Sequence, residues 1–149
     1  MNVEISGPAV PRFPRREMTA FVRKAVGAIE RAGAAPFRPT EVAIAFVDDA
    51  AMAALNRRFR GRGGTTDVLS FPAGDDPEES DRRLGDIAIS LDRARRQARE
   101  QHHSLATEVR YLILHGIIHA FGWDHESDEG EMNALEIRLR PKLGLIGDE

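Results

Sequence analysis

Ser104-Leu-Ala-Thr-Glu-Val-Arg-Tyr-Leu-Ile-Leu-His115-Gly-Ile-Ile-His119-Ala-Phe-Gly122-Trp-Asp-His125 is the stretch on which the reading of this chain turns. Ser104 has the chemistry of a helix N-cap, its hydroxyl able to accept from a backbone N–H that has no partner inside the helix. Beyond it Leu105, Val109, Leu112, Ile113, Leu114, Ile117, Ile118 and Phe121 leave no wide polar face, so the segment predicts a helix buried nearly all round. His115 and His119, four apart, share one face of that helix and can aim their rings at one ion. Gly122 stops it: without a Cβ it can take the left-handed conformation that ends a helix, and the chain then turns to bring His125 toward the same ion. Three protein ligands leave a fourth position for water, which marks a catalytic metal rather than a closed structural one. Isolated histidines more often cap carbonyls or fill a half-buried face, but three at this spacing around a glycine stop favour the metal.

The zincin motif H-E-x-x-H-x-x-G-x-x-H has the same spacing, with a Glu after the first His as general base. Here that position is Gly116. A metalloprotease would need its carboxylate from elsewhere, with Asp124, Glu126 and Glu108 as the candidates.

The chain resembles the YbeY endoribonucleases. The resemblance is carried by Asn56-Arg-Arg-Phe59-Arg60-Gly61, Thr66-Asp67-Val68-Leu69-Ser70-Phe71-Pro72, Leu84-Gly85-Asp86-Ile87-Ala88-Ile89-Ser90 and the run His115 to His125, in the family's order over about the last two thirds of the sequence. Thr65 departs from it, standing where the family usually has Pro. The resemblance implies a single-strand-preferring, metal-dependent endoribonuclease, a hydrolase of phosphodiester bonds, in ribosomal RNA maturation at the 3′ end of the small-subunit RNA and in ribosome quality control. It implies one zinc ion per chain on His115, His119 and His125, and places Arg60 at the family's functional arginine, where a cation would neutralise charge on a phosphodiester. His115 and Arg60 are the expected catalytic residues. Expected partners are ribosomal RNA, the small ribosomal subunit and ribosomal proteins, with neither DNA nor membrane. The nucleophile stays open between water and the RNA's own 2′-hydroxyl. A ribosome-assembly factor whose metal only braces the fold is the main alternative, and a metalloprotease the lesser one.

At 149 residues the chain is one domain's worth, long enough to bury about 68–70% of its unfolded surface. With 42% hydrophobic and 30% charged residues it is ordinary for a globular protein, which argues against wholesale disorder. The absence of Cys excludes disulfides and thiolate metal sites, leaving His and carboxylates as ligands, and suits a cytoplasmic location. The first residues lack the apolar run of a secretory signal, and no run reaches the roughly 18 apolar residues of a membrane span. The net charge of −3 gives no global attraction to nucleic acid, so any affinity for phosphate must be local. All but two of the 21 basic residues are Arg, Lys24 and Lys142 being the exceptions, and the Arg fork suits bidentate phosphate contact.

Elsewhere the patterning predicts strands at Val3–Ile5, Glu41–Val47, Val68–Phe71 and Ile87–Ser90. Helices are expected over Glu17–Ala32, from an Asp48 or Asp49 cap to Phe59, and from Ser90 or Asp92 to Glu100. Pro72 to Arg83 reads as a solvated loop. Asp128 and Glu131 suggest a capping box for a last helix with Met132, Leu135 and Leu139 facing in, ended by Pro141. The sum is an α+β domain, residues 1–149: a small mixed β-sheet covered by helices, with a central buried helix carrying the metal-binding histidines. Arg57, Arg58 and Arg62 read as a solvated face. Asp92, Arg96 and Glu100 are spaced for i,i+4 pairs on an exposed helix, and His102 and His103 read as surface or capping residues. Asp67 and Asp86 are expected to make local hydrogen bonds. Asp124, beside His125, suits either orienting a ligand or stabilising the turn.

Overall fold

The structure is a computed structural model that describes residues 1–60, 67–72, 82–123 and 130–145, the side chain of Arg60 excepted. Four strands form one mixed sheet: β1 (Asn2–Ser6), β2 (Pro39–Val47), β3 (Val68–Pro72) and β4 (Arg82–Ser90), in the order β1-β2-β4-β3. β1 runs parallel to β2 and β2 parallel to β4, while β3 is antiparallel to β4. The helices are α1 (Arg15–Arg31), α2 (Asp49–Arg60), α3 (Leu91–Glu100), α4 (Leu105–Ala120) and α5 (Glu131–Leu139), followed by a short 3-10 turn over Pro141–Leu143. This is the expected α+β architecture.

Strand alternation divides the two faces of the sheet. Val42, Ile44, Phe46, Ile87 and Ile89 point into the main core with α1 and α4, where Val22, Ile29, Val109, Ile113, Ile117 and Ile118 are buried. Leu69 and Ala88 point the other way and meet Met52 of α2 in a smaller cluster. α4 is apolar nearly all round because it packs on β3, β4, α1, α3 and α5.

Ser90 ends β4 and caps α3, its Oγ accepting from the Arg93 N–H at 3.1 Å. Asp48 caps α2 by accepting from Ala51 N–H at 2.8 Å. Three local readings need correction. β4 begins at Arg82, not Ile87, because Leu84 is buried and the stretch is zipped in parallel to β2, a pairing the local pattern cannot reveal. Arg96 does not pair along its own helix: its guanidinium crosses to Asp49 of α2 at 2.9 Å, and Arg95 takes Asp92 at 3.6 Å. α5 starts after Gly130, which carries no side-chain cap; Asp128 of the expected capping box lies outside the described residues.

Candidate active site

The first turn of α4 is set by Ser104, whose Oγ accepts from Thr107 N–H at 3.1 Å as its chemistry predicts. Three turns on, His115 and His119 stand on one face with ring centroids 4.9 Å apart and planes at 67°. Between them Gly116 is a packing residue. A Cβ built there would lie 2.8 Å from Ile87 Cγ2 and 3.2 Å from Val68 Cγ2, so any side chain, a base-bearing Glu included, would drive α4 off the sheet.

Phe121 caps the helix and Gly122, at φ +103°, takes the left-handed turn. Gly122 N–H donates to His119 O at 2.9 Å and Trp123 N–H to Ile118 O at 3.4 Å, the two bonds of a Schellman closure. Trp123 Nε1 then donates to the Ala34 carbonyl at 3.0 Å, fixing the exit of the chain beyond α1. His125, Asp124 and Glu126 lie outside the described residues, as do Gly61, Arg62, Thr65 and Thr66. Arg60 closes α2 by its backbone. The structure therefore brings His115 and His119 together. Among the described residues no group of three His, Asp or Glu side chains forms a metal cluster.

One residue at this site escapes the sequence reading. Glu136 of α5, 8% exposed, places Oε1 2.8 Å from His115 Nδ1 and accepts from Arg140 Nη2 on Oε2 at 3.1 Å. Burial opposes charge on this carboxyl and is the largest single influence. The hydrogen bond from His115 and the charges of His115 and Arg140 together outweigh it, holding the carboxyl below the usual carboxylate range. An ionised carboxylate only accepts, so the His115 Nδ1 must be the protonated nitrogen. In the neutral ring that leaves the lone pair on Nε2, the form in which an imidazole binds a divalent ion. The two described donors, both imidazole nitrogens, are of the kind that zinc takes. The signal was legible in principle: residues 132, 135, 136 and 139 form one helical stripe, and Glu136 is its only charge.

The other candidates fall elsewhere. His103 is not a surface residue: its Nε2 lies 2.6 Å from Glu108 Oε1 and its ring stacks on Tyr111. Glu108, one proposed protease base, is thereby committed to a separate cleft of about 480 Å³. His102 is exposed in a left-handed conformation after α3. Asp67 makes the expected local bond, accepting from Val68 N–H at 2.9 Å. Asp86 takes Arg83 at 3.5 Å and borders an apolar cleft with Phe59 and Phe71, whose rings meet at 5.0 Å. Arg57 and Arg58 are exposed.

The family model described as Endoribonuclease YbeY matches residues 10–144. An endoribonuclease YbeY of Solibacter usitatus is 46% identical over 138 residues, covering 93% of this chain and 80% of that protein. One from Koribacter versatilis is 58% identical over 91 residues, 61% of this chain and 57% of that one. The solution structure of a Thermotoga maritima protein shares the fold at a TM-score of 0.60 and 22% identity, covering 95% of this chain and 88% of that one.

Proposed function

The chain belongs to the YbeY endoribonuclease family, and from that premise we propose that it is a metal-dependent endoribonuclease that cleaves single-stranded RNA near the 3′ end of the small-subunit ribosomal RNA. The observation that carries this reading is the His115–His119 pair on one helix face, with the His115 ring oriented by a buried carboxylate. His115, His119 and His125 would hold one zinc ion. A zinc ion held there would supply Lewis acidity toward a phosphate and would acidify water toward neutrality.

The remaining work falls to the chain. α4, seated on the sheet through Gly116, holds the two helix-borne imidazoles one turn apart and rigid. Arg60, at the end of α2, neutralises phosphate charge as it develops. RNA brings its own 2′-hydroxyl, which lessens the need for a protein base at the position Gly116 occupies. The partners are ribosomal RNA and the small ribosomal subunit, and the location is the cytoplasm. Among the described residues no helix is long and apolar enough to cross a membrane.

Zinc-loaded wild type and His119→Ala should be compared on an RNA that carries single-stranded segments, on small ribosomal subunits and on unfolded casein. RNA cleavage by wild type alone, with casein intact, is the expected result. Zinc binding with no cleavage of any RNA would turn the reading to an assembly factor, and casein cleavage to a protease.

A further inference from the structure

We infer that Glu136 is a positioning residue that fixes the tautomer and orientation of the His115 ring for metal binding, and that Arg140 fixes Glu136 in turn. Each carboxylate oxygen has its own partner: Oε1 faces His115 Nδ1 at 2.8 Å and Oε2 takes Arg140 Nη2 at 3.1 Å. The carboxylate therefore cannot swing toward either partner without releasing the other. His115 keeps 25% of its side chain exposed, whereas the Glu136 side chain is only 10% exposed.

Stability does not explain a carboxylate here. Its neighbours on the inner stripe of α5 are Met132, Leu135 and Leu139, all buried, and replacing a buried ion pair by packed apolar residues is often neutral or stabilising. A carboxyl group on such a stripe, with one oxygen 2.8 Å from a histidine of the proposed site, is accounted for by the histidine. Carboxylates that accept from the second nitrogen of a metal-binding imidazole set which nitrogen faces the ion.

Arg140 extends the chain of contacts outward. It follows α5, its guanidinium lies 5.1 Å from the Tyr111 ring centroid, and it borders the cleft that also holds His103 and Glu108. The order Tyr111, Arg140, Glu136, His115 thus runs from that cleft to the back of the site. The purpose of the arrangement rests on the metal reading above, but the ring tautomer is a property of the metal-free chain and is measurable without it.

The test uses the full chain and two readouts. In metal-free protein, long-range ¹⁵N–¹H spectra, with His115 assigned by its loss in His115→Asn, should show Nδ1 protonated in wild type and in Glu136→Gln, whose amide oxygen can still accept. Glu136→Leu should mix the tautomers. Zinc titration against a competing chelator should show affinity reduced in Glu136→Gln and Arg140→Ala, and lost by about 10- to 100-fold in Glu136→Leu. Unchanged tautomer and unchanged zinc affinity in Glu136→Leu would overturn the inference. If that variant does not fold, unchanged zinc affinity in both Glu136→Gln and Arg140→Ala does the same. Wild type that binds no zinc would sink the metal reading, and the tautomer comparison would still decide whether Glu136 sets the ring.

Discussion

Ser70 donates its hydroxyl to the Gly116 carbonyl across 2.8 Å, tying the middle of β3 to the turn of α4 that carries His115. The bond depends on the missing Cβ beside it. Only a glycine lets the α4 backbone approach Val68 and Ile87 closely enough for the hydroxyl to reach. Two sequence blocks 46 residues apart are joined at this point, and the histidine pair inherits the rigidity of the sheet.

Gly116→Ala should therefore destabilise, although Ala is the better helix former by about 1 kcal/mol. Ile87 is fully buried and β-branched in a strand, so its Cγ2 cannot rotate away. Overpacking of this kind costs about 1–3 kcal/mol, and crowding should win with a net loss on the order of 1 kcal/mol. Ser70→Ala should cost about 0.5–1.5 kcal/mol for one hydrogen bond, but less in the Gly116→Ala background, where α4 has already moved. Urea melts of the two single variants and the double variant measure this coupling; strict additivity would show that the bond and the close approach are independent.

Leu112→Ala and Ile118→Ala should each cost about 2–5 kcal/mol, because both side chains are buried where α4 meets its neighbours. Arg95→Ala should stay within about 0.5 kcal/mol: its side chain is 47% exposed and its ion pair with Asp92, itself exposed, spans 3.6 Å. Denaturant midpoints at equal slopes are the measurement, and equal losses at both kinds of position would contradict the observed faces.

What sequence alone made legible follows from how local each signal is. α4 was readable because its cap, its apolar wrap and its glycine stop all lie within its own residues. The first half of β4 was not, since Arg82, Arg83 and Asp86 break the alternation and the stretch is a strand only through pairing with β2. Arg96 misled for the same reason: helical spacing names Asp92 and Glu100 as its neighbours, while the packing of α2 on α3 delivers Asp49. At the site, the spacing gave His115 and His119. Glu136 needed α5 to be docked on α4 before its carboxylate had a meaning.

The Asp49 cluster predicts a pH effect with a definite sign. Its carboxyl is held below the ordinary value of 3.8, first by the hydrogen bond from Arg96, then by that from Ser90. A carboxyl whose folded pKa is depressed contributes stability that is present above its unfolded value and lost as pH falls from there through the folded value. Asp49→Asn should accordingly lower stability at neutral pH and flatten its acid limb below about pH 4. The group is partly exposed and screened, so the effect is small. Thermal melts from pH 7 to pH 3 should show the two curves converging at the acid end; parallel curves would mean the Arg96 contact contributes nothing in solution.

With no Cys in the chain and one histidine cluster at chelating spacing, purified protein should carry one tight metal ion. His119→Ala should lose most of it, whereas His102→Ala, on an exposed turn, should lose none. Elemental analysis decides the point, and full retention of metal in His119→Ala would move the site elsewhere.

Arg60 separates binding from chemistry. If its charge meets the phosphate mainly as the transition state forms, Arg60→Ala should leave folding and metal content near wild type yet slow RNA cleavage by about 10²-fold or more, the scale of losing one transition-state donor. Arg60→Lys should recover part of that rate, because an ammonium supplies the charge without the bidentate fork. Single-turnover cleavage of one short RNA at a fixed salt concentration, with metal measured in the same preparations, keeps phosphate affinity from masquerading as rate. Wild-type rates in Arg60→Ala would take Arg60 out of the mechanism and reduce it to one more charge beside the exposed Arg57 and Arg58 at the end of α2.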